Sequence, residues 1–468
     1  MPSLSSIVKA YDVRGVVPEQ LDERVARALG AAFAEVVADD RSGSVVVGHD
    51  MRDSSPGLAD AFAAGARSRG KDVILVGLVS TDALYYASGA LDCPGAMFTA
   101  SHNPAQYNGI KLCRAGARPV GQDTGLADVR RIAEQLLARG EERAPAAGQV
   151  RRDVLVDYGR HLRDLVDLRE SRPLKVVVDA GNGMAGLTAP AVLGTACGLA
   201  PLPLDVVPLY FELDGSFPNH EANPLEPANL VDLQAAVLAH GADLGLAFDG
   251  DADRCFVVDE LGEPVSPSAV TALVAAREIE QDLAAGGSPT VIHNLITSRA
   301  VPELVGELGA RAVRTRVGHS FIKAQMAEHD AVFGGEHSAH YYFRDFWFAD
   351  TGMLAAMHVL AALGEQAGPL SALVGRYERY VASGELNSTV SDPVERTEAV
   401  RLAFAGDGVQ EDHLDGLSLT CDAPDGRLTW SLNLRASNTE PLLRLNVEAV
   451  DRATMAQVRD RALALIRA

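Results

Sequence analysis

Three stretches of the chain share one hydrophobic pattern: a run of β-branched apolar residues, a polar or glycine-containing turn, then apolar residues at helical spacing. They are SVVVGHDMRDSS (44–55), LKVVVDAGNGMAG (174–186) and PTVIHNLITSRAV (289–301). Continuous apolar runs read as strands buried on both faces, and the longer period after them reads as a helix packed on the sheet. A second strand is predicted after each helix, in DVILVGLV (72–79), ADLGLAF (242–248) and RAVRTRV (311–317). Alternating strands and helices predict mixed sheets with helices on both faces. The stretches recur at intervals of roughly 100–130 residues, the scale of a domain, which predicts a repeated α/β unit.

The end of the chain breaks this pattern. GRLTWSLNLRASNTEPLLRLNVEAV (426–450) reads as strand, loop, strand and then a last helix, an α+β arrangement. Linkers are predicted at GEERAPAAGQ (140–149), at the turn DELGEP (259–264) and at VASGELNS (381–388). The expected fold is therefore three related α/β domains with mixed sheets, 1–147, 148–259 and 260–382, plus a C-terminal α+β domain, 383–468.

Length supports several domains, since 468 residues exceed what one hydrophobic core usually serves. With 47% hydrophobic and 22% charged residues and no apolar run of membrane-spanning length, a soluble chain is expected. The start, MPSLSSIVKAYDVRG, lacks the apolar stretch of a signal peptide, and the five cysteines form no CxxC pair, which points to the cytoplasm. A net charge of −21 argues against nucleic acid and anionic membranes as partners. An anionic substrate must then meet a local positive cleft or a metal.

The most specific chemical signal is DGDADR (249–254). Asp249, Asp251 and Asp253 alternate along a loop and can converge on one hard cation such as Mg²⁺ or Ca²⁺. An EF-hand opens the same way, with Glu260 at its last ligand position, but Arg254 stands where that loop needs glycine, and the flanks LGLAF and CFVVD are strand-like. DAGNGMAG contains G-x-G-x-x-G (Gly181, Gly183, Gly186) with Asp205 beyond it, a dinucleotide-site layout that a close strand-to-helix turn also produces.

RASNTEP supplies Arg435, Ser437, Asn438 and Thr439, a guanidinium fork with two hydroxyls and an amide, which is an anion clamp in kind. A hairpin loop is the plain alternative. GEHSAH (335–340) sets Glu336 and Ser338 two apart, suited to reading sugar hydroxyls. Lys9, Arg14 and Lys111, taken singly, read as surface cations rather than catalytic ones, and His319 and His340 read equally as structural histidines or acid/base groups. TASHNP (99–104) leaves open whether Ser101 is a nucleophile, a phosphate carrier or a turn residue.

In order, YDVRG, TASHNP, DGDADR, GEHSAH and RASNTEP resemble the α-D-phosphohexomutase family, its phosphomannomutase/phosphoglucomutase branch in particular, from residue 11 to 441. The resemblance implies four domains around one cleft and a phosphoryl group carried on Ser101. It implies Mg²⁺ held by Ser101, Asp249, Asp251 and Asp253. Catalytic roles fall on Ser101, His102, Lys111, Arg254, Arg14 and His340. Substrate contacts fall on Tyr11, His319, Glu336, Ser338, Arg435, Ser437, Asn438 and Thr439.

The implied reaction moves phosphate between O6 and O1 of a hexose through a hexose 1,6-bisphosphate, with a phosphorylated hexose as partner and the chain a monomer or homodimer. His319 after VG and the SNTEP loop point to mannose or glucose phosphates, since phosphoglucosamine mutases usually show aspartate and SGTEP there. His337 and Ala339 stand at positions that often differ among relatives, and VIHNLITSR lacks a lysine found there in some of them. The alternatives are phosphoglucosamine mutase, a dinucleotide-dependent oxidoreductase built on the 181–186 glycines, and a silent phosphosugar-binding relative.

Overall fold

The computed structural model describes residues 3–37, 42–139, 147–436 and 442–468. In the first unit the strand Ser44–His49 lies parallel to Asp72–Leu78 on one side and to Gly95–Phe98 on the other, and Tyr107–Arg114 then runs back antiparallel. The second unit repeats this arrangement. Leu174–Asp179 lies parallel to Leu204–Leu209 and Leu244–Phe248, and Cys255–Asp259 returns antiparallel. In the third, Thr290–Asn294 is flanked in parallel by Arg311–Thr315 and Phe333–Gly335, with Tyr341–Phe343 antiparallel beyond.

The chain reversal after the last parallel strand therefore falls at one equivalent place in each unit. Those three reversals are the TASHNP, DGDADR and GEHSAH loops. Each leaves the carboxyl end of a parallel strand, where open α/β sheets place their ligand crevices.

Several elements depart from the sequence reading. The partner strand of the second unit is Leu204–Leu209, not 242–248, which instead matches Gly95–Phe98 of the first unit. LDVVPL escapes notice because Pro208 interrupts it, and a proline is tolerated there since the strand lies at the sheet edge. VASGELNS is no linker: Val381–Thr389 is an edge strand paired with Leu442–Ala449. Its Ser-Gly pair, which looks like a turn, is absorbed as a bulge between Ala382 and Glu385, with Gly384 at φ +69°. DELGEP is a tight turn inside one sheet, joining Cys255–Asp259 to Pro264–Val265. Gln149–Arg151, at the end of the first expected linker, pairs with Asp72–Leu78 and extends the first sheet.

One apolar core runs through all three α/β units, from Val46 to Val374, and a second fills the first unit alone around Phe33, Phe62 and Phe98. The fourth domain, an all-antiparallel sheet backed by the helices Pro393–Phe404 and Arg452–Ile466, has its own core around Leu432, Leu445 and Val458. It meets the third unit through polar contacts: Glu448 accepts the Arg299 backbone N–H at 3.0 Å, and Asp415 that of Val317 at 3.1 Å. Among the described residues no helix is long and apolar enough to cross a membrane.

Candidate active site

Where the strand Gly95–Phe98 ends, the backbone turns through Ser101 at φ +51°, a left-handed conformation rare for serine. Arg52, fully buried, holds that turn. Its guanidinium donates to the carbonyls of Ser101 (2.9 Å), Asn103 (2.6 Å), Pro104 (2.9 Å) and Tyr107 (3.0 Å), while its Nε lies 3.3 Å from Asp50. Sequence reasoning missed Arg52; the only signal was a basic residue in the turn HDMRD after a buried strand.

The DGDADR hairpin comes up against this loop. A Cβ on Gly250 would lie 2.4 Å from the Ser101 carbonyl oxygen, so only glycine permits the approach. A Cβ on Gly183 would in turn strike the Gly250 carbonyl at 2.7 Å, and one on Gly186 the Phe211 carbonyl at 2.2 Å. The G-x-G-x-x-G glycines thus serve close backbone packing beneath the acidic loop, and Asp205, mostly exposed, faces Lys175 at 3.8 Å. Gly183→Ala is expected to lower both Tm and activity by pushing the hairpin outward, and differential scanning fluorimetry with NAD⁺ or NADP⁺ is expected to show no shift in the parent protein.

Ser101 Oγ donates to Asp249 Oδ2 at 2.7 Å and lies 3.3 Å from His102 Nδ1. Arg254 donates to the same Asp249 oxygen through Nε at 2.9 Å and to His102 Nδ1 through Nη2 at 2.6 Å. Burial and the Arg254 charge push His102 down to about 2, so its imidazole is neutral and its Nδ1 is committed as an acceptor. Lys111 Nζ bonds Asp251 Oδ2 at 2.7 Å and also Asp253 Oδ2. Burial opposes its charge, but the two carboxylates win and hold the ammonium well above its usual value.

Carboxylate oxygens of Asp249, Asp251 and Asp253 lie within 4.8 Å of one another. Burial and the neighbouring Asp251 raise Asp253 to about 7, whereas Lys111 and Thr81 outweigh burial at Asp251 and lower it. Three carboxylates buried side by side repel one another, and two cations, Lys111 and Arg254, offset three charges, so a further cation would relieve the remainder. Asp251 Oδ1 and Asp253 Oδ1 are buried without a hydrogen-bond partner among the described residues, as ligand atoms awaiting a metal would be. The donor set, all hard oxygen, suits Mg²⁺ chemistry.

A cleft of about 120 Å³ opens above these groups, lined by Tyr11, Asp12, Arg14, Ser101, His102, Lys111, Asp253, Arg254, Lys323, His340 and Asp350 among others. All six expected catalytic side chains therefore line one cleft, from all three α/β units. Arg14 is anchored by Asn103 at 2.5 Å and Asp12 at 2.7 Å, and the Tyr11 ring stands edge-on to Phe321 with centroids 6.2 Å apart. His340 joins the DGDADR loop by a backbone bridge to Arg254, and its Nδ1 lies 3.0 Å from Asp350 and 3.8 Å from Asp253. Burial works against its proton, but those two carboxylates raise it above the ordinary histidine range. Lys323, which the sequence reading passed over, pairs with Asp350 at 2.6 Å and lies over the Tyr85 ring at 4.3 Å. A larger groove of about 690 Å³ on the outer face of the first unit, near Arg24, Asp60 and Arg69, holds none of the motif residues.

In the third loop, buried Glu336 accepts from Ser338 Oγ at 3.0 Å through one oxygen, and burial raises its carboxyl. Its Oε1 has no hydrogen-bond partner among the described residues. His337 accepts from Asn294 at 3.0 Å and is pushed down to about 3 by burial and by the Arg435 charge, so the third loop and the fourth domain's Arg435 face each other. Arg435 itself is held only loosely, 3.5 Å from Glu385 and 3.6 Å from Asp415. Ser437, Asn438 and Thr439 lie outside the described residues, as does the His319 side chain, whose backbone opens the helix His319–His329.

Three repeated α/β units that aim equivalent loops into one cleft, with a serine, a carboxylate triad and buried cations, define a multidomain α/β enzyme of phosphoryl chemistry. The chain belongs to the phosphoglucomutase/phosphomannomutase family: models of its α/β/α domains I, II and III match residues 5–138, 156–262 and 266–380, and that of its C-terminal domain matches 385–465. It is 41% identical over 455 residues, 96% of each chain, to a protein of Xanthomonas campestris pv. campestris named phosphohexose mutases. It is 38% identical over 460 residues, 97% of each chain, to the phosphomannomutase of Escherichia coli K12. The crystal structure of a phosphoglucomutase/phosphomannomutase family protein from Burkholderia thailandensis superposes with a TM-score of 0.84 at 32% identity, covering 99% of this chain and 98% of that one.

Proposed function

We propose that this phosphohexose mutase interconverts hexose 6-phosphate and hexose 1-phosphate, with mannose and glucose as the sugars, through a phosphoserine at Ser101 and a hexose 1,6-bisphosphate. The observation that carries the reading is Ser101 Oγ, 2.7 Å from the first carboxylate of the acidic triad and facing the same cleft as Lys111 and Arg254. Asp249, Asp251 and Asp253, with an oxygen on Ser101, would hold Mg²⁺, which when bound neutralises charge on the phosphoryl group.

In the forward half-reaction the Ser101 Oγ–P bond breaks as a sugar hydroxyl oxygen takes the phosphoryl group, and the hydroxyl proton ends on Ser101 Oγ. We assign that proton to His340, a reading supported by its place in the cleft lining and by Asp350, which engages Nδ1 and orients the ring. His102, neutral and engaged by Arg254, orients the loop instead. Lys111 and Arg254 stay charged and steady the oxygens in flight. The sugar then turns over, and its other phosphate returns to Ser101 while the released sugar oxygen regains the proton. The buried Glu336 with Ser338 reads sugar hydroxyls, Tyr11, Arg14 and His319 complete the pocket, and Arg435 with Ser437, Asn438 and Thr439 grips the phosphate that is not transferred.

If Arg435 grips that phosphate in ground and transition states alike, Arg435→Ala raises KM by roughly 10- to 150-fold with a smaller fall in kcat, the worth of a charge-assisted bidentate contact. Steady-state kinetics check this, and an unchanged KM on every substrate overturns the clamp. The reading as a whole is tested by peptide mapping of the purified protein and by coupled assays on mannose, glucose and glucosamine 1-phosphates with a trace of bisphosphate. Phosphate found only on other residues of active enzyme overturns the phosphoserine. Turnover of glucosamine 1-phosphate alone overturns the choice of sugars. All five cysteines are free, which accords with a cytoplasmic enzyme.

A further inference from the structure

The helix Thr81–Leu91 of the first unit is wedged between the second and third. Ser80 caps it, and Thr81 follows at the first helical position, where a backbone N–H has no partner within the helix. That N–H donates instead to the Asp251 carbonyl at 3.1 Å, and Thr81 Oγ1 donates to Asp251 Oδ2 at 2.5 Å. Lys111 binds the same Oδ2, so both protein donors converge on one oxygen of Asp251 and the buried Oδ1 keeps no partner among the described residues. Thr81 thus grips residue 251 at two points across the boundary between units.

The next residue explains why Thr81 stays put. Asp82 is fully buried, its Oδ1 accepts from Ser80 Oγ, and its Oδ2 accepts from Tyr158 Oη at 2.6 Å and Thr351 Oγ1 at 2.7 Å. Tyr158 lies on the helix Leu155–Leu165 of the second unit, and Thr351 caps the helix Gly352–Gly364 of the third. One carboxylate therefore joins all three units. Two turns of the same helix continue the joint: Tyr86 packs edge-on to Tyr158 and to Trp347, each at 6.1 Å between centroids, and Gly89 lies under Trp347, where a Cβ would strike the indole at 2.2 Å.

We propose that Thr81 is a positioning residue for the phosphoryl-transfer centre, selecting which oxygen of Asp251 is presented to the divalent cation, and that Asp82 locks Thr81 in place by tying the three units together. The inference rests on the assignment of Asp251 as a metal ligand. Thr81 touches neither sugar nor phosphate; it acts through the carboxylate, as partners of metal ligands generally do. Its signal in the sequence was slight, a Ser-Thr-Asp opening on a helix in the first unit, with nothing local to indicate a loop 170 residues away.

The test uses the full chain and Mn²⁺ as the probe, followed by electron paramagnetic resonance of free Mn²⁺, beside the Mg²⁺ dependence of turnover. Thr81→Val keeps the shape but removes the donor, and is expected to weaken Mn²⁺ binding about 10- to 100-fold and to raise the Mg²⁺ needed for half-maximal rate in parallel. At saturating Mg²⁺ kcat recovers most of its value, and Thr81→Ser restores both constants. Tyr158→Phe, which takes one hydroxyl from Asp82, shows the same shift in smaller measure. Thr81→Ala gives the same reading should the valine variant not fold. Wild-type Mn²⁺ affinity in the Thr81 variants, or a fall in rate that leaves metal affinity unmoved, overturns the inference. A parent protein that takes up no Mn²⁺ is a different result: it removes the metal assignment itself.

Discussion

Ser101→Ala is expected to lower mutase turnover on the order of 10³-fold or more, because alanine has no oxygen to carry the phosphoryl group between the two sugar positions. Stability is largely spared. The serine hydroxyl makes one bond to Asp249, a loss of about 1 kcal/mol, and Asp249 keeps its bonds to Arg254. Nothing stored on the enzyme would then be available to convert a monophosphate into the bisphosphate. The variant is assayed in the coupled system with added bisphosphate and compared by intact mass with the parent, which is expected to carry one phosphoryl group at Ser101. A variant retaining more than a few per cent of the parent rate sinks the phosphoserine mechanism.

Asp251→Asn comes next in size. It removes one of three negative charges facing the cation, and at limiting Mg²⁺ kcat/KM is expected to fall roughly 100-fold, about 2.7 kcal/mol of transition-state stabilisation, with partial recovery as Mg²⁺ is raised. The fold tolerates the change because Lys111 keeps Asp253 as a partner, so no buried charge is left wholly unpaired. Rates measured across a Mg²⁺ series give the answer, and parental activity at limiting Mg²⁺ means that Asp251 is no ligand. The opposite pulls on Asp251 and Asp253 give this experiment its edge. Lys111 and Thr81 keep Asp251 ionised, while burial and the Asp251 charge favour a proton on Asp253 until a cation takes its place.

Local hydrophobic pattern and loop motifs are legible in this chain to different depths. SVVVGH, LKVVVD and PTVIHN were recognisable as repeated strands because each is apolar on both faces, and that property needs no knowledge of the neighbours. The Asp249–Asp253 triad was recognisable because its ligands are adjacent in sequence and a hairpin keeps them together. Strands Leu204–Leu209 and Val381–Thr389 were not, since each carries a breaker, Pro208 or the Ser383-Gly384 pair, that only an edge position or a bulge makes harmless.

By itself, then, the sequence determined that buried strands and helices alternate in three similar units, that a different domain follows, and that a serine loop and an acidic loop sit at turns between strands. Periodicity and turn chemistry are properties of neighbouring residues, and they survive without tertiary context. The tertiary structure alone decided that the three reversals are equivalent and meet, that Arg52 clamps the Ser101 turn from 49 residues away, and that burial together with the Arg254 charge disfavours a proton on His102. It decided too that Thr81 holds the acidic loop from a helix in another unit, which Asp82 ties to Tyr158 and Thr351. Such contacts depend on how sheets twist and pack against one another, and a buried hydrogen bond between distant residues leaves no periodic trace in either segment.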